Sequence, residues 1–162
     1  MEAKTTDLCD SYGDQLRVME EPLSDFGGLL AFAGPVHTLR AYEDNSLLRE
    51  ALTEPGQGRV LVVDGGGSLK RALLGDELAT LAVKNDWEGI VIFGCVRDSA
   101  ALAELEIGIK ALGTCPRKTD KSGQGLRDVP LRVGGIDIRP GDYLYADEDG
   151  VVVSAKRLQE VG

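Results

Sequence analysis

Between Arg59 and Thr114 the chain alternates between two kinds of hydrophobic pattern. Short unbroken apolar runs, "RVLVVDGGG", "GIVIFG" and "IGIKALG", predict strands buried on both faces. Between them lie "GDELATLAVKNDW" and "SAALAEL", where apolar residues return at helical spacing. In the first of these, Leu78, Leu81 and Ala82 mark the face expected to be buried. Strand, helix, strand, helix, strand in this order predicts parallel pairing through crossover helices.

The flanks read differently. Thr5 or Thr6 is placed to cap a short helix beginning near Asp7, and "SDFGG" at 24–28 is a turn. The segment Leu29 to Tyr42 is rich in strand formers, with Gly34-Pro35 expected to bend or interrupt it. Asn45 and Ser46 are cap candidates for a helix through about Thr53, which "EPGQG" ends. Thr114 to Asp128 forms a polar, Gly-containing loop, long enough to carry function or to move. After it come hairpin signals, with turns at Gly134-Gly135 and Asp149-Gly150. The expected class is α/β, a parallel βαβ centre flanked by antiparallel hairpins, in one domain over residues 1–162.

Composition narrows the function classes. A formal net charge of -9 argues against nucleic acid, whose phosphates need a basic footprint. It leaves room for an anionic substrate held by a few local cations, or for a basic partner surface. Three cysteines (Cys9, Cys95 and Cys115) without C-x-x-C spacing suggest reduced thiols in core or boundary positions. The start shows no basic segment followed by an apolar one, and no run of about 18 apolar residues could span a membrane. The expectation is a cytoplasmic protein.

Four stretches could carry chemistry. "DGGGS", Asp64 to Ser68, follows a strand but fits neither G-x-G-x-x-G nor G-x-x-x-x-G-K-[ST], so it reads as a tight turn or a pocket wall. "GDEL", Gly75 to Leu78, opens the central helix. Asp76 is an N-cap candidate there, and the same free N–H groups can bind a carboxylate. "GCVRD" leaves the next strand on Arg97 and Asp98, which either pair with each other or face a ligand. Strand C-termini and the following helix N-termini share one edge of a parallel sheet, where ligands bind. The two motifs should therefore face each other across a crevice, with "DGGGS" as a third wall. Carboxylates without histidine suit Mg²⁺ or Mn²⁺ rather than zinc. The only histidine, His37, has no partner motif and reads as structural or surface, and without G-x-S-x-G a serine triad is disfavoured. The carboxylates between Gly141 and Gly150 lack the EF-hand spacing and read as acidic hairpin turns.

In order, "SDFGG", "FAGPVHTLRAYEDNSLL", "VLVVDGGGSLKRALLGDELA", "EGIVIFGCVRD", "IGIKALGTCPRKT" and "PGDYLYADEDGVVVS" resemble the regulator of ribonuclease activity A family. This family overlaps the class II 4-hydroxy-4-methyl-2-oxoglutarate aldolases, and the resemblance covers about residues 5 to 156. It implies a β/β/α fold like the swivelling phosphohistidine domain, in a ring-shaped homotrimer with sites near subunit boundaries. The aldolase pattern D-x20-R-D is met by Asp76, Arg97 and Asp98, but the acidic position three residues later is Ala101, with Glu104 one turn further on. A menaquinone methyltransferase reading of this group does not fit, because no G-x-G-x-x-G opens the sheet.

The resemblance implies a lyase releasing two pyruvates from 4-hydroxy-4-methyl-2-oxoglutarate, with oxaloacetate decarboxylation as a side activity. It places a divalent metal, Mg²⁺ or Mn²⁺, on Asp98 and gives the developing enolate to Arg97. The substrate carboxylate goes to the backbone of Gly75, Asp76, Glu77 and Leu78, and Asp76 orients a water. The competing reading is a regulator that binds and inhibits an endoribonuclease through its acidic surface. Asp98 is the residue on which the sequence leans toward the enzyme.

Overall fold

The computed structural model describes residues 3–159. Its strands are β1 (Arg17–Val18), β2 (Ser24–Asp25), β3 (Phe32–Arg40), β4 (Val60–Asp64), β5 (Ala72–Leu74), β6 (Gly89–Val96), β7 (Gly108–Thr114), β8 (Leu126–Arg127), β9 (Leu131–Val133), β10 (Ile136–Ile138), β11 (Tyr143–Asp147) and β12 (Gly150–Ser154). The helices are α1 (Thr5–Tyr12), α2 (Ser46–Thr53), α3 (Asp76–Lys84) and α4 (Ser99–Leu102). The main sheet has the order β1-β12-β11-β3-β4-β6-β7-β2, with β5 added to the end of β6 and β8 to the end of β3.

The three apolar runs form β4, β6 and β7, paired in parallel as their lack of alternation requires. All eight residues of β6 are buried, which puts this strand at the centre of the core. The expectation of a break at Gly34-Pro35 does not hold. β3 runs straight through, because it changes partner at this point. Its first half, through Pro35, pairs antiparallel with β11. From Val36 onward it runs parallel to β4. One strand thus joins the hairpin half of the sheet to the parallel half.

Two side-chain clusters lie on opposite faces of the sheet. One joins Leu61, Val63, Ile90, Ile92 and Ile109 to Leu48 and Leu52 of α2, Leu78 and Ala82 of α3 and Leu102 of α4. The other joins Val60, Val62, Val91 and Phe93 to the β9–β10 and β11–β12 hairpins. The result is a mixed α/β fold with helices on one face and hairpins on the other. The buried residues of α3 are Leu78, Ala79 and Ala82, while Leu81 packs at the rim. Gly134 and Gly135 both have positive φ, +58° and +80°, as the turn between β9 and β10 needs. Thr5 is not a cap but the first residue of α1; its N–H and hydroxyl donate to Asp147 at 2.9 and 2.7 Å. Among the described residues no helix is long and apolar enough to cross a membrane.

Candidate active site

The parallel topology brings the ends of β5 and β6 together. Ala72 and Leu74 pair with Cys95 and Val96, and the Arg97 N–H donates to Leu74 O at 2.9 Å. The chain after β5 turns at once into α3, and the chain after β6 turns at Asp98, whose φ of +57° is a left-handed conformation that Asp tolerates. This turn lays Arg97 and Asp98 over the start of α3. Gly75 is the N-cap residue, and Asp76 is the first helical residue rather than the cap. No side chain of the helix caps itself; Asp98 Oδ2 accepts the Asp76 N–H at 3.0 Å from across the crevice.

A cavity of about 380 Å³ opens here. Gly75, Asp76, Glu77, Leu78, Arg97 and Asp98 all line it, so the "GDEL" and Arg97-Asp98 motifs do meet at one cavity. The N–H groups of Glu77 and Leu78 are the free donors of the helix start, since that of Asp76 is taken by Asp98. Arg97 and Asp98 do not form an ion pair: among the described residues the Arg97 guanidinium has no carboxylate within 4.0 Å and no hydrogen-bond partner. Asp98 likewise uses only one of its oxygens.

The third wall differs from the expectation. "DGGGS" is folded onto itself and away from the cavity. Asp64 Oδ1 accepts the Gly66 N–H at 2.9 Å, the Gly67 N–H donates to Phe93 O, and Ser68 Oγ donates to Glu43 Oε2 at 2.6 Å. The insertion of β5 carries the chain past this turn before α3 begins. The remaining wall is made of Asn45 and Arg49 of the α2 region and Lys118 and Lys121 of the long polar loop. Sequence reasoning missed these residues. The loop's length was the available signal, but no spacing tied its lysines to Arg97. Ala101 and Glu104 are exposed and do not line the cavity.

The electrostatics are local and against the trend of the chain. Four cations (Arg49, Arg97, Lys118 and Lys121) share the cavity with three acids, in a protein of net charge -9. Such a site favours a small anion carrying more than one negative group. A metal is limited to few protein ligands: among the described residues no three His, Cys, Asp or Glu side chains converge. The carboxylates that line the cavity, Asp76, Glu77 and Asp98, are oxygen donors of the kind a Mg²⁺-type ion takes one or two of while keeping several waters.

His37 lies elsewhere, 8% exposed, tilted against Trp87 and contacted through Nε2 by Arg127. Arg127 also pairs with Glu50 and Glu54 at 3.0 and 2.6 Å. The histidine is structural. The acidic residues between Gly141 and Gly150 serve turns and anchors, with Asp142 accepting from Arg17 and Asp147 from Thr5 and Asp149.

Comparison with known proteins identifies the family. The RraA-like family model, described as Aldolase/RraA, matches residues 5–153. A relative from Alkalilimnicola ehrlichii, named "Putative 4-hydroxy-4-methyl-2-oxoglutarate aldolase", is 58% identical over 158 residues, 98% of each chain. The solved structure of the RNA-processing inhibitor RraA from Thermus thermophilis superposes with a TM-score of 0.95 at 48% identity, covering 99% of this chain and 98% of its own. A structure from Geobacillus kaustophilus, titled as an S-adenosylmethionine:2-dimethylmenaquinone methyltransferase, has a TM-score of 0.94 at 52% identity, covering 96% of both.

Proposed function

We infer the function of this chain from its family: it belongs to the RraA-like family, Aldolase/RraA, and it is a class II aldolase cleaving 4-hydroxy-4-methyl-2-oxoglutarate to two pyruvates. Relatives at 50–58% identity over nearly the whole chain carry the name of this activity. The observation that carries the reading is the Arg97 guanidinium, with no carboxylate within 4.0 Å among the described residues, sharing one cavity with Asp98 and the start of α3. The layered arrangement of hairpins, parallel sheet and helices supports a fold of the swivelling phosphohistidine-domain type.

The chemistry follows from the substrate. The 4-hydroxyl loses its proton, the C3–C4 bond breaks, and C4 becomes the keto carbon of the first pyruvate. The bonding pair stays on C3 as the enolate of the second, which a proton at C3 completes. Oxaloacetate gives the same enolate with CO₂ as the other product, so one site serves both. Arg97 donates to the oxygen on which enolate charge develops; such a donor is worth about 2.7–4 kcal/mol in the transition state. The N–H groups of Glu77 and Leu78 hold the C1 carboxylate at the helix start. Asp98 would hold Mg²⁺ or Mn²⁺, and a cation there supplies Lewis-acid polarisation of the 2-oxo group. Asp76, exposed at the cavity mouth, orients a water for proton transfer. A closed homotrimer fits the two-residue edge strand β1, whose Val18 is 51% exposed; light scattering giving a stable monomer would refute it.

The test is pyruvate release from both acids with Mg²⁺, with and without EDTA. Chelator-sensitive release from both is expected. Release that survives exhaustive chelation removes the class II mechanism. No release, together with slowing of an endoribonuclease, assigns the chain to the regulators.

A further inference from the structure

The wall opposite Arg97 is carried by an exposed loop, and an exposed loop has no buried apolar surface to fix it. Residues 120–126 are all exposed; Asp120 reaches Arg71 at 3.7 Å and Leu126 pairs with Arg40 of β3, and the stretch between is gathered on one buried carboxylate. Asp44, 3% exposed, accepts five hydrogen bonds. Its Oδ1 takes the Ser46 N–H at 2.9 Å and the Ser46 hydroxyl at 2.6 Å, which starts α2. Its Oδ2 takes the Ser122 N–H and hydroxyl, each at 2.8 Å, and the Gln124 N–H at 3.2 Å. Gly123 N–H adds a bond to Ser46 Oγ at 3.2 Å, and the buried Thr119 donates to Asn45 Oδ1 at 2.8 Å. Burial pushes the Asp44 carboxyl up, but the donors from Ser46, Ser122 and Gln124 together hold it well below the usual carboxylate range.

Lys121 sits between these anchors, next to Ser122 and two residues from Thr119. Lys118 is held from the other side, where Arg71 Nη1 donates to its carbonyl at 3.1 Å and the chain bridges to Ala72. Lysine is a point charge on a flexible stem, so its aim depends on where its backbone is fixed. Among the described residues neither Lys118 nor Lys121 has an ion-pair partner, and both line the cavity across from the α3 start.

We infer that Asp44 is a positioning residue: by latching residues 119–124 it presents Lys121 to the distal carboxylate of a dicarboxylic 2-oxo acid, and so makes the site prefer dicarboxylates. This deepens the aldolase reading and rests on it for the placement of the first carboxylate. A monocarboxylate such as pyruvate uses only the Arg97 side and does not need the latch.

The test is calorimetric binding in Mg²⁺ of 2-oxoglutarate, which lacks the 4-hydroxyl and is not cleaved, against pyruvate. Asp44→Asn, which loses the charge that gathers the loop donors, should weaken 2-oxoglutarate by about tenfold and pyruvate by less than about twofold. Lys121→Ala should give the same split, and the double variant should be no weaker than Lys121→Ala alone, because the two act through one contact. Tryptic cleavage after Lys121 should speed up in Asp44→Asn at a temperature where the protein remains folded. If Asp44→Asn does not fold, Gln124→Pro removes one loop donor without touching Asp44 and carries the same expectation at smaller size. Equal weakening of both ligands, independent effects that multiply, or unchanged cleavage would each overturn the latch. Because no turnover is needed, absence of pyruvate release would sink the aldolase reading while leaving this result readable.

Discussion

Asp98 Oδ2 accepts the backbone N–H of Asp76 at 3.0 Å. The bond joins the end of β6 to the start of α3, so the carboxylate proposed to anchor a metal also caps the helix proposed to hold the substrate. Two motifs separated by twenty residues are thereby fixed relative to each other. The helix start gains the negative group it favours from outside its own sequence.

Asp98→Asn separates these roles. The amide oxygen can still accept from Asp76, and Asn tolerates the left-handed conformation, so the stability cost should stay within about 1 kcal/mol. A hard cation loses its carboxylate, so Mn²⁺ binding followed by electron paramagnetic resonance should weaken sharply. Pyruvate release should fall with it and recover in part at high metal concentration. Unchanged turnover at limiting Mg²⁺ would remove Asp98 from the metal site.

Two glycines offer a paired experiment. A Cβ at Gly75 would lie 2.7 Å from Asp98 Oδ2 and 3.3 Å from Arg97 Nε, although the backbone there, φ -130°, suits any residue. Gly75→Ala should therefore displace both side chains and lower kcat/KM by about 10–100-fold, with a melting temperature near wild type. A Cβ at Gly108 instead strikes the ring of Phe32, which is fully buried. Gly108→Ala should cost about 1–3 kcal/mol of stability, seen as a lower urea midpoint.

The parallel centre was legible in the sequence because unbroken apolar runs have one common physical cause, burial on both faces. The Asp76, Arg97, Asp98 wall was legible because topology alone puts strand ends and helix starts on one edge. Three features were not. β5 is three residues long, too short to show a period. Pro35 looked like a break because a proline lacks one donor, but a strand that changes partner there does not need an uninterrupted ladder on one side. The lysine wall was hidden because its loop is placed by Asp44, a residue that sequence reading passed over for its neighbours Asn45 and Ser46.

Stability should fall in two steps on acidification. Burial, then Arg127 and Arg59, lower the His37 pKa below its ordinary 6.5, against weaker opposition from Asp128 and Glu54. The unfolded chain therefore binds more protons near pH 6. His37 contributes stability that is full above about pH 6.5 and is lost as pH falls toward the folded value. The slope cannot exceed about 1.4 kcal/mol per pH unit for one proton. Asp44, whose pKa is lowered, holds its contribution above the ordinary 3.8 and loses it only as pH falls below that. Urea unfolding from pH 2 to 8 should show both steps, the lower one only below about pH 3.8, and His37→Gln should erase the upper one alone.

Arg97 tests whether the cavity is built for function at the expense of stability. Its guanidinium shares the cavity with Arg49, Lys118 and Lys121 and has no carboxylate within reach among the described residues. An arginine kept for the fold would normally be paired, and its loss would destabilise. Here its removal relieves repulsion from Arg49, Lys118 and Lys121 and gives up attraction to Asp76, Glu77 and Asp98, two screened effects that largely offset. Arg97→Ala should leave the melting temperature unchanged or slightly raised. The same change should cost about 10²–10³-fold in kcat, because the donor to the developing enolate oxygen is gone. Arg97→Lys keeps the charge but not the planar fork, so it should restore part of the binding of 2-oxoglutarate and little of the turnover. A large drop in melting temperature with turnover retained would reverse the assignment and make Arg97 a structural residue.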